Sequence, residues 1–408
     1  MTADLADSAD SADSADSADS ADSAGTDDSD ETATGRIAAL PTVLLHDHLD
    51  GGLRPTTIVE LAEHVGLSLP THDPAELAQW FTREAGTEVV DGVATGSLEK
   101  YLRTFEVTLG VMQTVEGLRR VAREAIVDLA ADGVVHVEER FAPELHTMRG
   151  LGLQDVLDAV QQGFADGVAE AAEAGRSITV GTLVTAMRQL DRWDEVADLA
   201  LANRDRGVVG FDIAGPERGF PATRHLSAFQ RLREASFPVT VHAGEADGLG
   251  SIAAALHQAG ASRLGHGVRI VDDIEICAPV GATLREQVES ARLGYLAHWV
   301  RDHQVALEVC PTSNTQTGAA RSVADHPITL LKHLGFAVTV NTDNRLQSAT
   351  SMSRELACLV DDAGWSPGDL RDVTLTAARS SFLPHDDRQA LVARIEGMPT
   401  RPIGRHSA

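Results

Sequence analysis

Short apolar runs rich in β-branched residues alternate along the chain with longer Ala- and Leu-rich segments of helical spacing, starting near Arg36. An apolar run of this length is typical of a parallel strand that is buried on both faces. Eight such runs occur, at residues 43–49, 134–140, 178–186, 208–215, 238–245, 263–269, 305–313 and 337–344. Crossover helices are predicted between them, in segments such as 154–174, 193–206, 222–235 and 248–260.

This alternation predicts an α/β fold, a (β/α)8 TIM barrel whose active site lies at the C-terminal ends of the strands. A doubly wound open sheet is the competing architecture, and it would not bring all the strand ends together. Residues 50–133 are longer than a barrel loop needs, so extra helices are predicted after the first strand. Within them, residues 97–114 carry the apolar stripe of an amphipathic helix. The segment 271–304 is also long, and the pattern does not reveal its role.

The N-terminal segment, residues 1–35, is rich in a Ser-Ala-Asp repeat and has eleven acidic residues but no Lys or Arg. It offers almost nothing to bury and its like charges repel, so it is predicted to be a disordered acidic tail. Residues 36–408 are predicted to form a single barrel domain. A low-complexity tail without a specific role is favoured over a recruitment segment or a solubility device.

Composition narrows the class of protein. The net charge of −27 argues against a nucleic-acid partner, because phosphate binding needs a basic surface. No apolar stretch approaches the roughly 20 residues of a membrane helix, and no signal-type segment is apparent. Cys277, Cys310 and Cys358 are too widely spaced for a disulfide framework or a thiolate zinc site. They are predicted to be buried thiols, and a cytoplasmic protein is expected.

Ionisable residues collect where the predicted strands end, and the ends of a closed barrel share one mouth. The candidates for chemistry among them are His46, His48, His242, Glu245, His266 and Asp343. His46 and His48 are two apart on one strand and therefore point to the same side. Other strand ends carry residues 138–140, Asp212 with Gly215, and residues 312–314.

Three imidazoles and one carboxylate form a donor set suited to Zn²⁺ or another borderline divalent metal. The set consists of His46, His48, His242 and Asp343. With a position left for water, such a site is catalytic in character, and Glu245 and His266 remain to move protons. Taken singly, His266 fits a hydrogen bond to a loop carbonyl equally well, and Asp343 fits a helix N-cap. If all of these residues had only structural roles, their positions at the same ends of four strands would require four independent coincidences.

An ordered set of motifs spans the chain from about residue 41 to 384: LLHDHLDGG, VVGFDIAG, VTVHAGE, LGHGVR, LEVCPTSNTQTG, TVNTDN and AARSSFLP. This set resembles the adenosine deaminase family of zinc-dependent purine deaminases. The resemblance implies a (β/α)8 barrel with one Zn²⁺ per subunit and a small-molecule purine nucleoside as substrate. The implied reaction converts adenosine or 2′-deoxyadenosine to the inosine compound and ammonia, in purine salvage. Oligomeric state is not indicated.

The resemblance also implies roles for individual residues. The zinc ligands are His46, His48, His242 and Asp343. Glu245 matches the acid that protonates purine N1, and His266 the residue that orients the zinc-activated hydroxide attacking C6; Asp343 also accepts a hydrogen bond from that hydroxide. The N–H of Gly215 matches a contact to N3, and Asp50 with His48 matches the site of the ribose 5′-hydroxyl. Four residues of the helix that roofs the pocket become candidate ribose-side contacts: Leu98, Tyr101, Leu102 and Phe105.

Two departures from the family pattern keep other substrates open. Asn344 stands where a second aspartate is common, and Arg345 where proline is common. An Asn amide is always a donor, so Asn344 is hypothesised to keep a contact to purine N7 without a titrating group. The alternatives are deamination of a 5′-modified adenosine such as aminofutalosine, or of adenine. A non-catalytic zinc or nucleoside-binding protein is disfavoured, because Glu245, His266 and Asp343 are all present.

Overall fold

The computed structural model of the chain describes residues 37–38, 40–90 and 93–397, without the side chains of 88–90 and 93–95. The acidic tail predicted for residues 1–35 lies outside this part of the chain. Its character and the domain boundary at residue 36 therefore remain predictions.

Eight parallel strands form the centre of the fold. They are β1 Thr42–His48, β2 Val134–Phe141, β3 Thr179–Met187, β4 Val208–Ala214, β5 Thr240–Ala243, β6 Arg263–His266, β7 Ala306–Val309 and β8 Val338–Val340. β1 to β4 pair in that order, as do β5 to β8. Parallel bridges from Phe211 to Val239 and from Asp47 to Asp343 join the two sets at both edges. The strands therefore close into a barrel, which confirms the predicted fold class and excludes the open sheet.

Helices surround this barrel. Their bounds are α1 Pro55–Val65, α2 Pro74–Ala85, α3 Leu98–Arg103, α4 Phe105–Val111, α5 Val115–Ala131, α6 Leu153–Glu173, α7 Trp193–Ala202, α8 Leu226–Glu234, α9 Leu249–Ala254, α10 Leu284–Ser290, α11 Tyr295–Asp302, α12 Pro311–Gln316, α13 Ile328–His333, α14 Met352–Ala363, α15 Pro367–Ser380 and α16 His385–Glu396. Apolar side chains of the strands and helices meet between the two layers and form the main core. None of the helices in the part of the chain that the structure describes is long and apolar enough to cross a membrane.

The two long segments, residues 50–133 and 271–304, contain helices and short strands of their own. The helix expected over residues 97–114 is in fact two helices, α3 and α4, which meet at Thr104. The Thr104 hydroxyl donates to the carbonyl of Tyr101 at 2.7 Å, so it competes for a backbone acceptor of the helix. Residues 271–304 contain an antiparallel pair, Ile274–Ile276 with Ala291–Leu293, together with α10 and α11.

Four strands are shorter than the apolar pattern predicted. β5 ends at Ala243 and β8 at Val340, and a short 3-10 helix and α12 begin soon after β6 and β7. The backbone turns where the reactive residues lie, and His266 and Asp343 have φ of 61° and 59°. Such left-handed conformations cost non-glycine residues of order 1–3 kcal/mol and recur at functional sites. The prediction that all three cysteines are buried holds for Cys310 but is wrong for Cys277, which is exposed, and for Cys358, which is only partly buried.

The barrel interior is charged, which the apolar strand pattern did not indicate. Its buried ion pairs join Arg140 to Asp212 and Glu308, and Arg263 to Glu138 and Glu308. Removing one partner of a buried pair leaves an uncompensated charge and costs about 3–5 kcal/mol. The pairs therefore hold the interior in one arrangement beneath the mouth of the barrel.

Candidate active site

A cavity opens at the C-terminal ends of the strands, where a barrel active site is expected. Its lining includes most of the predicted site residues: His48, Asp50, Leu102, Phe105, Gly215, His242, Glu245, His266, Asp343 and Asn344. His46 is fully buried, and its ring nitrogen lies within 4.8 Å of the donor atoms of His48, His242 and Asp343. Leu98 and Tyr101 do not line this cavity; both are buried, and the Tyr101 hydroxyl lies 3.0 Å from that of Ser348.

The four predicted ligands converge at one wall of the cavity. Nε2 of His48 lies 3.2 Å from Nε2 of His242, and Asp343 Oδ1 lies 3.4 Å from Nε2 of both His46 and His48. Two tetrahedral ligands at 2.0–2.1 Å from Zn²⁺ lie about 3.3 Å apart. The spacing of the donor atoms therefore fits a single tetrahedral metal ion.

Carboxylates behind two of the imidazoles fix which ring nitrogen faces the cluster. Glu308 lies 3.0 Å from Nδ1 of His46, and Asp212 lies 3.0 Å from Nδ1 of His242. Each carboxylate accepts a hydrogen bond from Nδ1–H of its imidazole. The Nε2 lone pair is therefore directed toward the other ligands, as in many metal sites. Arg140 contacts both carboxylates and joins the two supports.

The electrostatics favour neutral imidazoles at His48 and His242 beside an ionised Asp343. Burial lowers the pKa of His48 and of His242 below the ordinary value, despite the charges of Asp343 and Asp212. Burial raises the pKa of Asp343, but the hydrogen bond with His46 and the nearby imidazoles outweigh it and hold that pKa well below its usual range. For His46, burial and Arg140 are outweighed by hydrogen bonds to Asp343 and Glu308, so its pKa is raised. His46 Nε2 is buried and lies 3.4 Å from Oδ1 of Asp343, on the side of the ring that faces the other ligand atoms.

A second group of donors overlaps the first and includes the thiol of Cys310 with His46, His266 and Asp343. Burial raises the pKa of Cys310 well above its usual range, so the thiol keeps its proton. Because metals bind the thiolate, the first group is the better metal site.

Glu245 lines the cavity in surroundings that favour its protonated form. Its Oε1 is buried and has no hydrogen-bond partner among the described residues, and its Oε2 lies 3.6 Å from Nε2 of His266. Burial, together with the charges of Asp343 and Glu217, raises the pKa of Glu245 well above its usual range. A carboxyl whose surroundings favour its protonated form is suited to act as a general acid.

The backbone around Glu245 is held by a residue that the sequence patterns did not single out. The buried carboxylate of Glu217 accepts four successive backbone N–H groups, those of residues 244–247, at 2.7–3.1 Å. The Ser251 hydroxyl donates to it as well, at 2.6 Å. Gly244 has φ 76°, and a Cβ there would lie 2.5 Å from Ile252, so only glycine fits this turn. Successive backbone N–H groups of this kind form an anion-binding turn, and the anion bound here is the carboxylate of Glu217.

Other contributors were also missed or left without a role. Ser313 donates to Oδ2 of Asp343 at 2.5 Å, and the amide of Asn314 lies 3.1 Å from Nδ1 of His266. Thr185 and Gln189 line the cavity beside Gly215. Thr185 Oγ1 and Gln189 Oε1 are buried and have no hydrogen-bond partner within residues 37–38, 40–90 and 93–397. Glu308 and Glu217 lie apart from the strand-end histidines in the sequence, so only the fold reveals their contacts.

A parallel barrel whose mouth carries three imidazoles and a carboxylate, beside a protonated glutamate, is the architecture of a metal-dependent hydrolase. The sequence model of the adenosine deaminase family matches residues 41–398. An adenosine deaminase of Mycobacteroides abscessus is 54% identical over 357 residues, 87% of this chain and 94% of that protein. The chain belongs to the adenosine deaminase family, as the motifs predicted.

Solved structures share the fold. The adenine deaminase of Arthrobacter aurescens is 25% identical, with a TM-score of 0.70 over 88% of this chain and 98% of its own. An amidohydrolase of Burkholderia ambifaria, solved with bound Zn, is 24% identical and has a TM-score of 0.73. That match covers 90% of this chain and 92% of the other. At this level of identity the second match speaks for the barrel alone.

Proposed function

We infer that the chain is an adenosine deaminase, which hydrolyses adenosine, and 2′-deoxyadenosine, to inosine or 2′-deoxyinosine and ammonia. The observation that carries this inference is the 54% identity to a relative of that name over 87% of the chain. The water oxygen bonds to purine C6, the C6–N bond breaks, and the amino group leaves as ammonia. Purine salvage is the metabolic role that suits this reaction.

We propose that the metal is Zn²⁺, one per subunit, held by His46, His48, His242 and Asp343. A nitrogen and oxygen donor set with tetrahedral spacing supports this choice. Bound there, Zn²⁺ would lower the pKa of a water molecule toward neutrality and so supply a nucleophile.

Proton movements fall to the chain's own residues. Glu245, which burial keeps protonated, is proposed to donate to purine N1 and so make C6 electrophilic. His266 is proposed to orient the attacking oxygen and stabilise the charge that develops on it. Asp343 accepts a hydrogen bond from the same oxygen.

The remaining contacts are proposed from the lining of the cavity. The N–H of Gly215 would meet N3, the Asn344 amide N7, and Asp50 with His48 the ribose 5′-hydroxyl. Leu102 and Phe105 would cover the sugar. Leu98 and Tyr101, the other two predicted contacts, would act by supporting these residues.

The test of this function is kcat/KM across adenosine, 2′-deoxyadenosine, adenine, AMP and a 5′-substituted adenosine. Adenosine and 2′-deoxyadenosine are expected to lead. If adenine or the 5′-substituted compound led, the roles of Asp50 and of the helix pair α3 and α4 would be wrong. Loss of activity with a chelator, and recovery with Zn²⁺, would exclude a non-catalytic binding protein.

Three free cysteines fit the proposed cytoplasmic location, since disulfides are rare there.

A further inference from the structure

A chain of hydrogen bonds leads from a buried histidine outside the cavity to His266. The backbone N–H of Ile328 donates to Nδ1 of His326 at 3.1 Å, so that nitrogen must be the acceptor. Burial lowers the pKa of His326 to about 3, so the ring stays neutral and its single proton is on Nε2. His326 Nε2 therefore donates to Oδ1 of Asn314, 3.2 Å away.

The orientation of the Asn314 amide follows from its donors. Oδ1 receives both His326 Nε2–H and the backbone N–H of Cys310, each at 3.2 Å. Two donors at one end identify that end as the oxygen, so the other end is the NH₂ group. In the reverse orientation the NH₂ group of Asn314 would face these two donors. Because Asn314 is fully buried, water could not supply an acceptor in their place.

The tautomer of His266 is the consequence. Nδ2 of Asn314 donates to Nδ1 of His266 at 3.1 Å, which makes Nδ1 an acceptor. An imidazole nitrogen that accepts a hydrogen bond carries no proton, so the ring proton of His266 is on Nε2. This N–H is at the cavity end of the ring, 3.6 Å from Glu245.

We propose that His326 is a positioning residue for the deamination: through Asn314 it holds His266 in the tautomer that presents an N–H donor, and not a lone pair, to the reacting oxygen. The inference rests on the proposed function of the site. It assigns His266 to hydrogen-bond donation. A base at this position would need the opposite tautomer.

The variants follow from the donor pattern. In His326→Leu, Asn314 loses the donor that fixes its orientation. In Asn314→Asp, an ionised acceptor faces Nδ1 of His266 and moves the proton to that nitrogen. In His326→Gln, the amide offers an acceptor to Ile328 and a donor to Asn314, so the relay is kept. His333→Gln, on the same segment in α13, is the matched control outside the relay.

The experiment combines kinetics with ¹⁵N NMR of histidine-labelled, Zn²⁺-loaded enzyme. Losing one donor to a developing oxyanion typically lowers kcat about 100-fold or more, so Asn314→Asp and His326→Leu are expected to lose about that much, with KM and zinc content little changed. The His266 ring should show protonated Nε2 in the wild type and in His326→Gln, and protonated Nδ1 in Asn314→Asp.

Three outcomes would overturn the relay: protonated Nδ1 in the wild type, an unchanged kcat in Asn314→Asp, or a loss in His326→Gln as large as in His326→Leu. Each is distinct from failure of the proposed function, which would appear as a wild-type enzyme that does not deaminate adenosine. The NMR result tests the tautomer whichever substrate the enzyme prefers.

Discussion

Oε1 of Glu245 is buried and has no hydrogen-bond partner in the part of the chain that the structure describes, and burial raises the pKa of this carboxyl well above its usual range. Glu245→Gln keeps the shape and a donor, but it has no transferable proton. Turnover is expected to fall by about 10²–10⁴-fold while zinc and nucleoside still bind. Metal analysis, nucleoside titration and kcat measure the three properties. A kcat close to that of the wild type would remove Glu245 from the role of acid.

Asn344 packs closely over the loop after β1: a Cβ on Gly51 would lie 2.1 Å from its Oδ1. If its amide donates to N7, Asn344→Ala should lower kcat/KM for adenosine by about tenfold, the worth of one hydrogen bond. 7-Deazaadenosine has no N7 acceptor, so its kcat/KM should hardly change. An unchanged ratio between the two substrates would contradict the N7 contact.

At the scale of elements, the loop after β5 depends on Glu217. Glu217→Gln places an NH₂ group among four backbone N–H donors, so the loop that carries Glu245 should shift. A displacement of about 1 Å can cost about 100-fold in rate, so kcat is expected to fall by up to that factor.

The matched control for Glu217 is Asp132→Asn. Asp132 accepts the N–H of Ser353 at 3.0 Å at the start of α14, outside the cavity. Both variants should lower Tm, but only Glu217→Gln should lower kcat. An equal loss of kcat in the two variants would mean that Glu217 acts on stability alone.

The split of the roof segment shows the limit of an apolar stripe. The spacing over residues 97–114 was correct for helix, yet Thr104 separates α3 from α4. As a result Leu102 and Phe105 reach the cavity while Leu98 and Tyr101 pack behind it. The stripe identifies a buried face but not which of its residues meet a cavity or the core.

For the whole molecule, buried histidines predict sensitivity to acid. Burial lowers the pKa of His146 to about 4, from 6.5. Between these two pH values the unfolded chain takes up a proton that the folded chain does not, so the free energy of unfolding falls as the pH falls. By pH 4 the loss from this group is about 3 kcal/mol at most.

Denaturant unfolding at pH 7 and pH 5 measures this effect in the wild type and in His146→Gln, each with Zn²⁺. Because the metal ligands are the same in both proteins, their contribution cancels in the comparison. The variant is expected to lose less stability on acidification than the wild type. Equal losses would show that His146 does not contribute.

By itself, the sequence determined the barrel, the order of its strands and the residues that could serve as ligands. These follow from local periodicity, and from the rule that parallel strands in a barrel end at one mouth. The acidic composition and the motifs of the family were likewise visible without coordinates.

Only the tertiary structure decided which partners tune those residues. Glu308 supports His46 across 262 positions, Glu217 holds a loop 27 to 30 positions away, and His326 reaches His266 through Asn314. Such contacts carry no periodic signal, because they arise when closure of the barrel brings distant strand ends together. The sequence thus indicates which residues carry the chemistry. The fold sets their protonation, tautomer and orientation, because those depend on burial and on neighbours that are distant in the sequence.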